Sequence, residues 1–162
     1  MQILDQNKTE YPELRELGFN SRLVPIQTTP YPFTAIDSEV GVAVLRDRVA
    51  TGDEPDDNRL EHEVIGIVGN RYQIVHNQDL YTSLTEASQR AFISDSGVQL
   101  VEESARNGAW SKATLHYPSI GRDIRQLTGK STHLRLKAGF QNTYDGSGKV
   151  KVEVGCTDLW CM

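Results

Sequence analysis

His133-Leu-Arg-Leu-Lys-Ala-Gly-Phe140 and Lys149-Val-Lys-Val-Glu-Val-Gly-Cys156 flank the turn Tyr144-Asp-Gly-Ser-Gly148. Both runs alternate apolar with polar residues, the period of a strand with one buried face. The apolar positions Leu134, Leu136, Ala138, Phe140, Val150, Val152, Val154 and Cys156 all carry even numbers. Directly opposed residues of an antiparallel pair share a face, so paired numbers must sum to an even value. A loop of Asp145-Gly146-Ser147 meets that condition and sets Phe140 opposite Val152, Ala138 opposite Val154 and Leu136 opposite Cys156. Closing instead on Asp145-Gly146 would set Lys137 against Val154 and mix the faces. The odd face then holds Arg135, Lys137, Lys149 and Lys151 against Glu153 alone, a basic stripe turned to solvent.

Val98–Glu103 and Trp110–Tyr117 read as a second hairpin across Arg106-Asn107-Gly108, where Asn-Gly favours a tight turn. Pro118 is expected to close that second strand, and Ser119–Lys130 reads as a short helix or a long loop. Val64–Val68 and Arg71–Val75 flank Gly69-Asn70, a two-residue hairpin turn that sets Ile67 opposite Tyr72 and Ile65 opposite Ile74. Asn77 then reads as the N-cap of a helix carrying Leu80, Tyr81, Leu84, Ala87, Ala91 and Phe92 at helical spacing. Ile65, Ile67, Tyr72 and Ile74 are expected to bury one face against Leu80, Leu84 and Ala87 of that helix. Val40–Arg46 is a further apolar, β-rich run. Residues 1–35 carry Pro12, Pro25, Pro30 and Pro32 and read as an irregular arm with a helical hint at Glu13–Leu17. Phe19, Leu23, Ile26 and Phe33 are its means of docking. The expectation is an α+β domain over 36–162, mainly antiparallel sheet built of hairpins, with one principal helix at about 77–93.

The composition agrees with one globular domain: 162 residues, 38% hydrophobic and 24% charged. No apolar run reaches membrane-spanning length, and the first residues show no secretory leader, so the expected setting is cytoplasmic, without a membrane partner. Cys156 and Cys161 do not make a disulfide scaffold or a Cys-x-x-Cys site. Charge is split unevenly. Residues 1–104 hold 8 basic and 18 acidic side chains, net −10, whereas residues 105–162 hold 9 and 4, net +5. Such a split marks either a surface for an anionic partner or two faces that neutralise each other.

Catalytic signatures are missing. There is no phosphate loop, and Gly146-Ser147-Gly148 lacks the Gly-x-Ser-x-Gly of a nucleophile elbow. His62, His76, His116 and His133 sit in or beside separate strands, without the i, i+4 spacing of a zinc helix. Cys156 falls on the apolar side of its strand and reads as a small core hydrophobe. The acidic stretch Thr51–Asn58 lacks the register of an EF-hand loop and reads as solvated. No catalytic residue, metal or cofactor is expected.

The positive candidates are Arg122, Arg125, Lys130, Arg135, Lys137, Lys149 and Lys151, with Tyr117 and Tyr144 nearby. Basic side chains beside aromatics on a sheet suit a phosphate backbone and unstacked bases. The competing reading is a solvated, lysine-studded sheet face that discourages edge pairing.

Glu63-Val-Ile-Gly-Ile-Val-Gly-Asn-Arg-Tyr-Gln-Ile-Val-His-Asn77, followed by a helix, resembles the signature of a phage- and plasmid-borne family of unknown function. Members of that family carry Gly-Val-Val-Gly-x-x-Tyr-x-x-Val-Gln-Asn leading into a helix. Tyr144-Asp-Gly-Ser147 and the segment through Cys156 to Met162 resemble the family's Asp-Gly-Ser turn and its following cysteine segment. The likeness spans about 40–162 and departs at His76, where the family has Gln. Family chains also continue past the cysteine segment, so the resemblance implies a mobile-element origin, in a bacterial host, and a fold continuing beyond Met162, with Trp160 left uncovered. It brings no activity and no catalytic residues. The expected function is a non-enzymatic accessory protein contacting single-stranded nucleic acid in recombination or replication. The alternatives are a module binding a host or phage protein through the acidic loop 51–63, and a fragment of an enzyme whose site needs a C-terminal portion.

Overall fold

The computed structural model describes residues 9–27, 39–49, 60–69, 71–91, 95–125 and 131–158, which form two antiparallel sheets and a helix. The α+β reading holds. The three-stranded sheet has the order β1 (Ser21–Gln27), β2 (Glu39–Val49), β3 (Leu60–Val68). Helix α1 (Asn77–Arg90) follows. The four-stranded sheet has the order β4 (Gln99–Ala105), β5 (Trp110–Arg125), β6 (Ser131–Thr143), β7 (Lys151–Asp158).

The final hairpin has the register that parity dictates: Phe140 faces Val152, Ala138 faces Val154 and Leu136 faces Cys156. Its ladder stops at Gln141 and Lys151, so the connection is longer than three residues while the register is kept. The β4–β5 hairpin closes Ala105 on Trp110 through a turn at Arg106–Gly108 in which all three residues have positive φ. Arg106 is kept there by its guanidinium, which donates to Asp145 Oδ2 at 2.6 Å and to Ser147 Oγ at 3.1 Å.

Four expectations about the strands and the arm need correction. Residues 71–75 form no strand, and β3 pairs with β2 instead. A turn does form, but one residue later than expected, with the Tyr72 N–H donating to Gly69 O at 2.9 Å. The chain beyond it is drawn over the end of the larger sheet, where the Tyr72 hydroxyl donates to Thr143 O and Asn142 Nδ2 donates to Val75 O. Second, β2 and β3 shift register at Ile65, which has no opposed residue, because Val44 pairs with Gly66 and Leu45 with Val64. That bulge turns Ile65 to the same side as Gly66 and Val68 and breaks the alternation. Ile65 is therefore buried, while Ile67 is 66% exposed. Third, Pro118 does not end β5. Tyr117 pairs with Leu136 and Gly121 with Arg135, so Pro118, Ser119 and Ile120 form a bulge where a missing N–H costs no ladder bond. Fourth, the arm is not irregular throughout. It supplies β1, an edge strand that tolerates Pro25, whereas Glu13–Leu17 is not helical.

Two apolar clusters hold the molecule together. In one, Tyr81 and Leu84 of α1, with Leu17 from the arm, cover Ala113, Leu115, Tyr117, Ala138 and Phe140 of the larger sheet. The helix thus packs on β5 and β6, and not on β3 as expected from its position in the chain; Ala87 is exposed. In the other, Val44, Ile65 and Val68 meet Ala109 and Tyr144, with Phe19, Tyr72 and Ile74 around them. Gly66 makes that junction possible. A Cβ there would lie 2.5 Å from Tyr144 O and 2.7 Å from Asp145 Cα.

A buried polar network ties the clusters together. Asn77 does not cap the helix; His76 occupies the N-cap position without a side-chain bond. The Asn77 side chain donates to Leu17 O and accepts from Asn142 Nδ2, and its N–H donates to the Tyr144 hydroxyl at 3.1 Å. A phenol from β6's end thus satisfies a first-turn N–H that a cap would otherwise take. The helix ends at Arg90, and the expected residues Phe92 and Ile93 lie outside the described ones, as do Phe33, the loop 51–59 and Trp160.

Candidate nucleic-acid interface

The larger sheet has unlike faces. Ser111, Ala113, Leu115 and Tyr117 of β5 point towards α1, which leaves Trp110, Lys112, Thr114 and His116 on the other face. Ladder partners extend that second face to Gln99, Val101 and Glu103 on β4, to Arg135, Lys137 and Gln141 on β6, and to Lys151 and Glu153 on β7. Solvent reaches it: Gln99, Val101, Glu103, Lys151 and Glu153 are exposed, and Trp110, Lys112, His116, Lys137 and Gln141 are half-buried.

Its electrostatics centre on His116. Lys137 lies directly opposite in the ladder, and Lys112 is two pairs of residues along the same face. Partial burial, then the charges of Lys137 and Lys112, hold the imidazole pKa below its usual value. The two ammonium groups, and not the burial, are what make the potential there positive. Lys112 is partly neutralised, with Nζ 3.5 Å from Glu103 Oε2.

Of the residues expected at the basic stripe, Lys137 and Lys151 lie on this face, and Lys149 is exposed beside it. Arg135 lies on it too but is engaged, Nη1 standing 3.2 Å from Asp123 Oδ1 and 3.1 Å from Leu134 O. His133 Nδ1 stands 2.5 Å from the same carboxylate oxygen. The bonds from His133 and then Arg135 hold the Asp123 carboxyl below the usual range. Arg122 pairs with Leu134 and so faces the helix side, because the bulge at 118–120 changes the parity of β5. Arg125 ends β5 opposite Ser131, and Lys130 lies outside the described residues. Tyr144 and Tyr117 are fully buried and offer no ring to a base. Burial pushes the Tyr144 phenol up to about 12, against the bond from the Asn77 N–H. The aromatic on the open face is Trp110. Trp110, Lys112 and His116 escaped the sequence reading, although the alternation of β5 carries their signal.

The apolar half of the final hairpin is covered only in part. Leu136, Ala138 and Phe140 face α1, but β7 is the edge strand, and Val152 and Val154 are 65% and 72% exposed. Cys156 is exposed as well and does not pack in a core.

Other polar clusters are structural. His62 Nδ1 is 2.9 Å from Asp47 Oδ1 and its Nε2 is 3.0 Å from Arg22 Nη2. Arg22 can only donate, so Nε2 accepts and is not available as a base. Glu102 fixes the arm by accepting the Arg15 and Leu17 N–H groups at 2.9 and 2.8 Å, at the edge of a depression of about 430 Å³. Among the described residues no three His, Cys, Asp or Glu side chains gather as metal ligands, and no helix is long and apolar enough to cross a membrane. No family model, curated protein or solved structure matches the chain.

Proposed function

We propose that the open face of the four-stranded sheet binds single-stranded nucleic acid, weakly and without sequence preference, and that the protein is a non-enzymatic accessory factor of a mobile element in a bacterial cytoplasm. One observation carries this reading: Lys112, His116 and Lys137 line the same solvent-reached sheet face as Trp110. Lysines supply phosphate contacts with counterion release, and the Trp110 indole on the same face is a stacking partner for a base. The neighbouring carboxylates of Glu103 and Glu153 keep the net field modest, in line with weak binding. The origin in a mobile element rests on the Gly66–Asn77 and Asp145–Ser147 resemblance.

The test is fluorescence anisotropy of a labelled oligothymidylate titrated with protein over a range of salt. Three lysine contacts, from Lys112, Lys137 and Lys151, give a slope of log K against log salt of about −2. Changing Lys112 and Lys137 together to Gln should bring that slope to about −0.7, since one contact remains. Wild-type protein that fails to retain the oligomer even at low salt, or a slope indifferent to both changes, defeats the proposal.

A further inference from the structure

We propose that β7 is a self-pairing edge, through which two copies of the chain join their four-stranded sheets about a two-fold axis at Val152. β1 carries Pro25, and β3 is bent by the bulge at Ile65, two devices that blunt an edge. β4 offers Val101 alone among large exposed apolar side chains, and its Glu102 holds the arm. β7 has no such protection. Its register with β6 runs unbroken from Lys151 to Asp158, with Val152 and Val154 exposed along it and Val150 exposed just before it.

The charges on β7 select the partner. A two-fold axis perpendicular to the sheet keeps each face on its own side, so the numbers of opposed residues must again sum to an even value. Centring on Lys151 opposes two lysines, and centring on Glu153 opposes two glutamates. Centring on Val152 sets Lys151 opposite Glu153 of the second copy, twice over by symmetry. On the other face the same centre sets Val150 against Val154 of the second copy and Val152 against its counterpart. Of these three neighbouring registers, only the one centred on Val152 pairs opposite charges while matching valine to valine. The occupant that fits is a second copy of this chain. The result is a continuous eight-stranded sheet whose two open faces lie side by side.

Sedimentation velocity, from low micromolar to sub-millimolar protein and without nucleic acid, tests this independently of the function proposed above. The wild type should reach a dimer and stop there. Lys151→Glu alone puts carboxylates opposite Glu153 and should weaken the dimer about tenfold or more; Glu153→Lys alone should do the same with ammonium groups. Mixing these two single variants should restore a dimer, as should combining both changes in one chain. Circular dichroism and thermal melting of each variant check that the monomer is folded. A wild type that stays monomeric throughout overturns the proposal. So does a dimer indifferent to the charge changes, a mixture that fails to pair, or a mass that climbs past the dimer.

Discussion

Replacing Gly66 with Ala examines the contact by which the two sheets meet. The added Cβ would stand 2.5 Å from Tyr144 O, 2.7 Å from Asp145 Cα and 3.0 Å from Tyr144 C. All three atoms are backbone, so no rotamer change relieves the overlap. The opposing turn is also pinned: the Tyr144 N–H donates to Ala109 O at 2.7 Å, its hydroxyl accepts from Asn77, and Asp145 is held by Arg106. The strand β3 would have to withdraw, loosening Ile65 and Val68 from Ala109 and Tyr144. Overpacking of this kind costs about 3 kcal/mol. For a chain of this size that corresponds to a fall in melting temperature of roughly 6–12 °C. Gly69→Ala is the internal control, because a Cβ there meets nothing within 4 Å. Thermal and urea unfolding of both variants would check the difference. Equal stability of Gly66→Ala and wild type, or equal losses from both variants, would refute the junction as described.

The bulge at Ile65 gives a second contrast: Ile65→Ala should cost about 2–5 kcal/mol and Ile67→Ala under about 1 kcal/mol, measured by urea unfolding. Asp95 is buried, and although burial opposes its charge, the Gly97 and Ser119 N–H groups hold the carboxyl below the usual range. Its contribution is therefore present in full above the unfolded value of 3.8 and lost as pH falls below it through the folded value. Asp95→Ala should cost about 2–3 kcal/mol at neutral pH and flatten the stability profile in that acid window. His116 is held below 6.5 by burial and by Lys137 and Lys112, so protonation is suppressed near neutrality. A bound phosphate should reverse that, and affinity for an oligothymidylate should rise between pH 7.5 and 5.5 in the wild type but not in His116→Gln.

The final hairpin was legible because two independent signals, side-chain period and charge parity, agree over residues 133–156. The β4–β5 hairpin was legible for a similar reason, its alternation bracketing an Asn-Gly turn. The stretch 64–75 misled because its turn signal is only partly local: a turn forms one residue later, from Gly69 to Tyr72, and partner choice is settled far away, by β2 and by the side chains of Asn142 and Tyr144. Bulges did further damage. One extra residue at Ile65 sends Ile67 outward, and three at 118–120 move Arg122 to the helix side. Nothing in the sequence sets the register of β5 against β6, so Tyr117 and Tyr144 could be read as accessible when both are core. Conversely, the motif residues Gly66, Tyr72 and Asn77 and the Tyr144–Asp145 turn, remote in sequence, prove to be one packed unit. Their roles are in holding the sheets together, which no spacing rule reveals.

The most direct test of the functional account is a backbone amide shift map of the labelled protein with a short oligothymidylate at low salt. Perturbations should gather on Trp110, Lys112, His116, Lys137 and Gln141 and fade as salt is raised, with α1 silent. Shifts confined to α1 or to the three-stranded sheet, or none at all, would contradict it.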